Sequence, residues 1–213
     1  MKGWHFLRED RRLGYEDGRV VKVGETITVP ADTPLVLCKS GLHASSRIID
    51  ALKYAPGPVA CQVEIVGEIL EEDDKACAYE RRCISMVDAT NVLHEFACLC
   101  AEKALSDAGV KDERCWAAIA AKRKWLRGEI TDEELASASA ASDAAAWAAA
   151  AAAAYAAASD AAASASAAAA AYAASAAAWA AASASAAASA ARAEQNERLE
   201  AMVLAECRKG ATA

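Results

Sequence analysis

Val59-Ala60-Cys61-Gln62-Val63-Glu64-Ile65 is the stretch on which the fold turns. Val59, Cys61, Val63 and Ile65 alternate with Ala60, Gln62 and Glu64, the period that puts one set of side chains on a covered sheet face. The acidic run from Glu71 to Asp74 reads as a turn, and Lys75 to about Ile84 as a returning strand. An antiparallel hairpin is expected. Upstream, Lys2–Leu7 is a short, mostly apolar run. Tyr15-Glu16-Asp17-Gly18 carries an Asp-Gly turn signal, followed by Val20, Val21 and Val23. Thr26–Val29 is β-branched and ends at Pro30, and Leu35–Cys38 is read as another short strand. Ser45 or Ser46 is expected to cap a helix with Ile48, Ile49, Leu52 and Tyr54 on its apolar face, stopped by Pro56-Gly57. Short strands around one helix predict an α+β domain over residues 1–88, built on a small, mainly antiparallel sheet.

Downstream the period changes. Thr90 is placed to cap a helix whose apolar face is Leu93, Phe96, Leu99, Cys100 and Ala104. A second helix is expected from about Asp112 to Arg127, with Cys115, Ile119, Lys122 and Leu126 on one stripe and Gly128 past its end. Lys122 is expected to snorkel, and Trp116 and Trp125 to be core. Ile130-Thr131-Asp132-Glu133-Glu134-Leu135 is a capping box, with Thr131 and Glu134 each bonding the other's backbone amide.

Between Ala136 and Ala193, 41 of 58 residues are Ala, so this part of the chain carries almost no reactive groups. It repeats with a period of 17, Ser142, Asp143 and Tyr155 recurring as Ser159, Asp160 and Tyr172. Ala favours helix. Two or three antiparallel helices are preferred over one rod, because a bare alanine rod buries nothing. The amphipathic segment Arg192 to Arg208, with Leu199, Met202 and Val203 at helical spacing, closes the chain before Gly210. The second domain is therefore drawn over residues 89–213, as an alanine-rich antiparallel helical bundle.

Composition limits the function. Lys and Arg total 23 against 30 Asp and Glu, a net charge of −7, which argues against nucleic-acid binding by bulk charge. The alanine block is too weakly apolar, and too interrupted by Asp143, Asp160 and Ser, to cross a membrane. No apolar run follows Met1-Lys2-Gly3-Trp4-His5, so no signal peptide is read. A cytoplasmic chain with reduced thiols is expected for the eight Cys. No C-x-x-C pair exists. His94 and Cys98 share a helical face but read as core rather than as metal ligands. No metal, no cofactor and no catalytic residue is assigned.

The run Glu113-Arg114-Cys115-Trp116-Ala117-Ala118-Ile119, then Arg123 to Leu135, then the alanine block and Ala193-Glu194-Gln195-Asn196, resembles the alanine-rich immunity proteins of bacterial polymorphic-toxin systems. The resemblance covers about residues 89–208. It implies a helical bundle and a non-catalytic role against a protein partner, a toxin or defence effector. Lys2-Gly3, Cys38 to Ala44, Leu52-Lys53-Tyr54-Ala55 and Val63 to Gly67 resemble an uncharacterised N-terminal domain of phage and prophage proteins.

One segment draws attention as a ligand site. Lys39, Ser40, Gly41, His43 and Ser45 join an expected strand to an expected helix N-terminus, where free amides with Lys39 and His43 suit an anion such as a nucleotide phosphate. Tyr54, Trp4 and His5 are placed to line a pocket beside it. Cys38 with His43 also suggests a thiol nucleophile. The blander account makes Gly41 a turn, Ser45 a cap and His43 a partner of a backbone carbonyl. Arg11-Arg12 and Arg81-Arg82 are possible phosphate binders but read as solvated pairs. The leading expectation is an interaction or immunity-like protein. The runner-up is a nucleotide-binding or nucleotide-modifying protein that uses Lys39–Ser45. An ice-binding role for the alanine helices is set aside, because Thr is absent from Asp132 to Ala211. Oligomeric state is left open.

Overall fold

In a computed structural model, residues 1–14, 17–107, 109–139 and 186–211 are described. The fold is α+β, as the sequence predicts. The chain divides into two units, Met1–Thr90 with Asn196–Ala213, and Asn91–Gln195. The expectations for the alanine block between 140 and 185, its 17-residue repeat included, lie outside the described residues.

The first unit is built on the predicted hairpin. Strands β1 (Lys2–Leu7), β2 (Thr26–Thr28), β3 (Leu42–Ala44), β4 (Val59–Glu71) and β5 (Ala76–Asp88) form one antiparallel sheet, with helix α1 (Ile48–Leu52) between β3 and β4. The order is β1-β4-β5-β2, and β3 also pairs with β5. Both hairpin strands run 13 residues, and β5 extends past the Ile84 expected from sequence. Val59, Cys61, Val63 and Ile65 are all buried, as their alternation requires, and pack with Leu7, Leu13, Val21, Ile27 and Leu42.

Local departures have identifiable causes. Residues 35–38 are not a strand, because the Lys39 and Ser40 amides both bond the Val36 carbonyl, at 3.0 and 2.8 Å, and close a tight turn. Val20 is held only by a bridge to Arg12. Neither Ser45 nor Ser46 caps α1. Its N-cap is Arg47, without a side-chain cap bond, and the Ile49 amide donates to Asn196 Oδ1 at 3.2 Å. Ser45 is instead paired with Trp4 through both backbone groups, at 2.7 and 2.9 Å. Gly3 permits this approach, since a Cβ there would lie 2.6 Å from the Ser45 carbonyl oxygen. Tyr54 lies beyond α1 and is 48% exposed, so it is not on the helix's apolar face.

Helices α2 (Thr90–Asp107), α3 (Glu113–Leu126) and α4 (Ala186–Ala211) complete the named elements. Asp88 rather than Thr90 caps α2, accepting from the Thr90 amide at 2.9 Å. Asp112 caps α3, whose Cys115 and Ile119 pack with Cys98, Ala101 and Leu105 of α2. Arg123 reaches across to Glu95 at 2.8 Å and to both oxygens of Glu102. Lys122 does not snorkel. It is buried, with its ammonium 3.9 Å from the Trp125 ring centre. Trp116 is at the surface, 36% exposed. The capping box forms as read. The Thr131 amide donates to Glu134 Oε2 at 2.8 Å, and the Glu134 amide to Thr131 Oγ1 at 3.2 Å. Residues 132–139 are helical. Helix α4 runs on past Gly210, which does not stop it, and within the first unit its Leu199 and Val203 are fully buried.

Among the described residues no helix is long and apolar enough to cross a membrane. None of the eight cysteines, all described, forms a disulfide.

Candidate functional site

The strand register builds a polar site beside the apolar core of the first unit. His5 pairs with Cys61, Ile65 with Arg81, and Cys77 with His43. Alternation along β4 and β5 therefore sets His5, Arg81 and His43 on one sheet face. They line a cavity of about 520 Å³. That volume lies within the range of small-molecule sites. Leu7, Leu13, Val29, Leu42 and Pro56 supply apolar wall, and Tyr54 an aromatic ring at the edge.

The charge in this cavity is one-sided. Arg8, Arg12, Lys39 and Arg81 line it, and among the described residues Asp17 is the single carboxylate there. Asp17 is already committed, since Arg19 binds both its oxygens at 2.6 and 2.7 Å. The same Arg19 bond holds the Asp17 carboxyl below its usual range. A chain of net charge −7 thus concentrates cation in one concave place.

Arg81 is the central group. It is 3% exposed, and its one side-chain hydrogen bond among the described residues runs from Nη1 to the His43 carbonyl at 2.6 Å. Among the described residues no carboxylate lies within ion-pair distance of it. Burial pushes its pKa down to about 10, opposed by Cys61, Cys83 and Asp17 nearby. Burying a guanidinium without a counter-charge costs several kcal/mol. Burial, then Arg81, then His43 hold His5 well below the ordinary imidazole value, so it is neutral at pH 7.

Five of the six residues singled out in the sequence, Lys39, Ser40, Gly41, His43 and Tyr54, line the cavity. Ser45 does not; it is buried against Trp4. The geometry also differs from a strand running into a helix N-terminus. Lys39–Ser45 is a turn running into and through β3, and none of the described residues lining the cavity belongs to a helix. His43 is committed to this turn. Its Nε2 accepts from the Cys38 amide at 2.9 Å, and its ring also bonds the Gly41 backbone. Burial, then Arg81, nevertheless lower its pKa. His43 therefore does not activate the Cys38 sulfur. Ser40 Oγ donates to the Pro34 carbonyl. Gly41 has φ 100°, and a Cβ there would lie 2.9 Å from Leu35 Cδ2. Of the set, Lys39 alone keeps a charged group for a ligand. Tyr54 donates its hydroxyl to Asp74 Oδ2 at 2.9 Å and presents its ring.

The sequence reading passed over Arg12 and Arg81 as members of solvated pairs. Each pair divides: Arg12 and Arg81 line the cavity, and Arg11 and Arg82 are exposed away from it. Among the described residues no group of three or more His, Cys, Asp or Glu side chains is placed to hold a metal ion.

Residues 1–95 match a family described as Domain of unknown function (DUF7666). No curated protein and no solved structure matches the chain.

Proposed function

We propose that the first unit binds a small organic anion, and that a phosphate-bearing nucleotide is the class its cavity suits best. The observation that carries this reading is Arg81, a buried guanidinium facing a cavity of about 520 Å³ with no carboxylate among the described residues to pair it. Unpaired buried charge is strongly unfavourable, and a ligand anion is the natural counter-charge. Arg12 and Lys39 add two further cations at the same cavity, and Arg makes bidentate bonds to phosphate. The apolar wall and the Tyr54 ring suit a flat organic group attached to that anion. No nucleophile–base pair is formed by His43, so the reading is of binding rather than catalysis.

Thermal shift and calorimetry test it. Nucleoside mono- and diphosphates, inorganic phosphate and the parent nucleosides are titrated into the full chain. A bound phosphate ester should raise the melting temperature by several degrees at saturation. The nucleoside should give no shift, and Arg12→Ala with Lys39→Ala should remove the response. A flat response to every phosphate ester overturns the nucleotide class. A nucleoside binding as well as its phosphate overturns the anion reading itself.

A further inference from the structure

Most uncharged polar side chains on the wall of the cavity are already spent inside the protein. Ser40 Oγ donates to the Pro34 carbonyl, and the Tyr54 hydroxyl donates to Asp74 Oδ2 at 2.9 Å. The His43 ring is held by the Cys38 amide and the Gly41 backbone. His5 is the exception. It sits on β1 opposite Cys61, half-buried, and its ring lines the same cavity. Among the described residues neither of its ring nitrogens has a hydrogen-bond partner. Leu7, Leu13 and Leu42 line the cavity with it. Asp17, the single carboxylate among the described lining residues, is taken through both oxygens by Arg19. No counter-charge is therefore left in the cavity for an imidazolium, and Arg81 and His43 on the same sheet face favour the neutral ring. A neutral imidazole carries one N–H donor and one bare nitrogen acceptor. It differs in kind from Arg12 and Lys39, which offer only donors and charge. A polar ring set among leucines without hydrogen bonds is unfavourable, and a ligand in the cavity is placed to supply both.

We infer that His5 is the specificity-determining residue of the cavity, and that it hydrogen-bonds an uncharged group of the ligand that both donates and accepts. The inference rests on the anion-binding reading of the cavity and divides the work within it. Arg12 and Lys39 hold the charged end of the ligand, and His5 reads its neutral part. In a nucleotide two places have the required chemistry. One is a ribose hydroxyl, and the other is a base edge with an amino or N–H group beside a ring nitrogen. A site built to hydrogen-bond such a group rejects an analogue that lacks it, because the imidazole is then left unpaired against the leucines. Inorganic phosphate carries charge without that neutral group, so it gains nothing from His5.

The test titrates adenosine monophosphate, ribose 5-phosphate and inorganic phosphate into the full chain by calorimetry. Wild type is compared with His5→Leu, with His5→Gln, and with Arg12→Ala and Lys39→Ala combined. His5→Leu should weaken adenosine monophosphate by on the order of tenfold, the loss of one donor and one acceptor bond, and leave inorganic phosphate unchanged. An equal loss for ribose 5-phosphate assigns the contact to a sugar hydroxyl. A loss for adenosine monophosphate alone assigns it to the base. His5→Gln keeps a donor and an acceptor and should restore part of the affinity. The Arg12 and Lys39 double change should instead weaken all three ligands. An equal loss for inorganic phosphate in His5→Leu, or no loss for the nucleotide, overturns the inference and leaves the anion reading standing. No binding of any phosphate ester by wild type overturns both. Should His5→Leu fail to fold, the imidazole ¹⁵N resonances of wild type decide. Saturating adenosine monophosphate should move those of His5, and resonances that do not move overturn the inference.

Discussion

Replacing His94 by leucine probes the packing of the second unit through its pH dependence. The His94 side chain is 2% exposed, and its Nδ1 has no hydrogen-bond partner. Its ring meets Trp125 edge-on at 5.7 Å, and the Lys122 ammonium lies on that same indole. Burial, and then Lys122, push the His94 pKa from 6.5 down to about 4. In the unfolded chain His94 binds its proton near 6.5, whereas in the folded chain it resists until about 4. Its neutral burial is therefore fully compatible with folding above pH 6.5. Stability is lost as the pH falls through the window down to about 4. Each pH unit in that window removes about 1.4 kcal/mol, so the loss amounts to about 3 kcal/mol. Urea unfolding at a series of pH values, followed by helical circular dichroism, measures it. His5 in the first unit titrates in the same direction but is unchanged by the substitution. The stability difference between His94→Leu and wild type should therefore swing toward the variant by about 3 kcal/mol between neutral and acid pH. A difference that stays constant with pH would refute the neutral, buried imidazole.

Three further outcomes are expected. Thr131→Ala removes the hydroxyl that accepts from the Glu134 amide at 3.2 Å, and should lower stability by about 1 kcal/mol, read from the denaturation midpoint. An unchanged midpoint would mean that the capping box carries no energy. Arg81→Met should abolish the nucleotide-induced thermal shift while changing stability by less than about 1 kcal/mol, because an apolar chain replaces an uncompensated charge. A loss of several kcal/mol would show that Arg81 is a structural residue rather than a ligand group. Gly41→Ala should cost about 2 kcal/mol, since it forces φ 100° on a residue with a Cβ and crowds Leu35 Cδ2 at 2.9 Å. Free choice of residue at position 41, judged by melting temperature, would contradict the turn described here.

The hairpin, the two helices after it and the capping box were legible because their signals are local. Alternation from Val59 to Ile65 and the Thr131–Glu134 spacing need no knowledge of distant residues. Of the misread elements, one depends on distant partners and the others on a local geometry that residue type does not reveal. Ser45 looks like a helix cap in sequence, but the backbone of Trp4 takes it, and Asn196 from the other end of the chain serves the α1 amide. Lys122 looks like a snorkelling lysine, yet it lies buried against the Trp125 ring on its own helix. Leu35–Cys38 is apolar enough for a strand, but the Val36 carbonyl accepts the two amides that close a turn.

The site itself was half legible, and the missing half was within reach. Lys39, Gly41 and His43 stood out by residue type, although two of them serve the turn rather than a ligand. Arg81 and Arg82 were read together as solvated charge. Two adjacent residues on a strand point to opposite faces, so once β5 is granted, both arginines cannot share one environment. Arg81 has the parity of Tyr79 and Cys83, and lies opposite Ile65, a residue the alternation had already assigned to the core. One arginine of that pair therefore had to enter the covered face of the sheet. A covered arginine needs an acceptor, and among the described residues the Arg81 side chain finds only the His43 carbonyl. The remaining donors of its guanidinium are what a ligand anion would satisfy, and this step leads from a strand register to the proposed binding site.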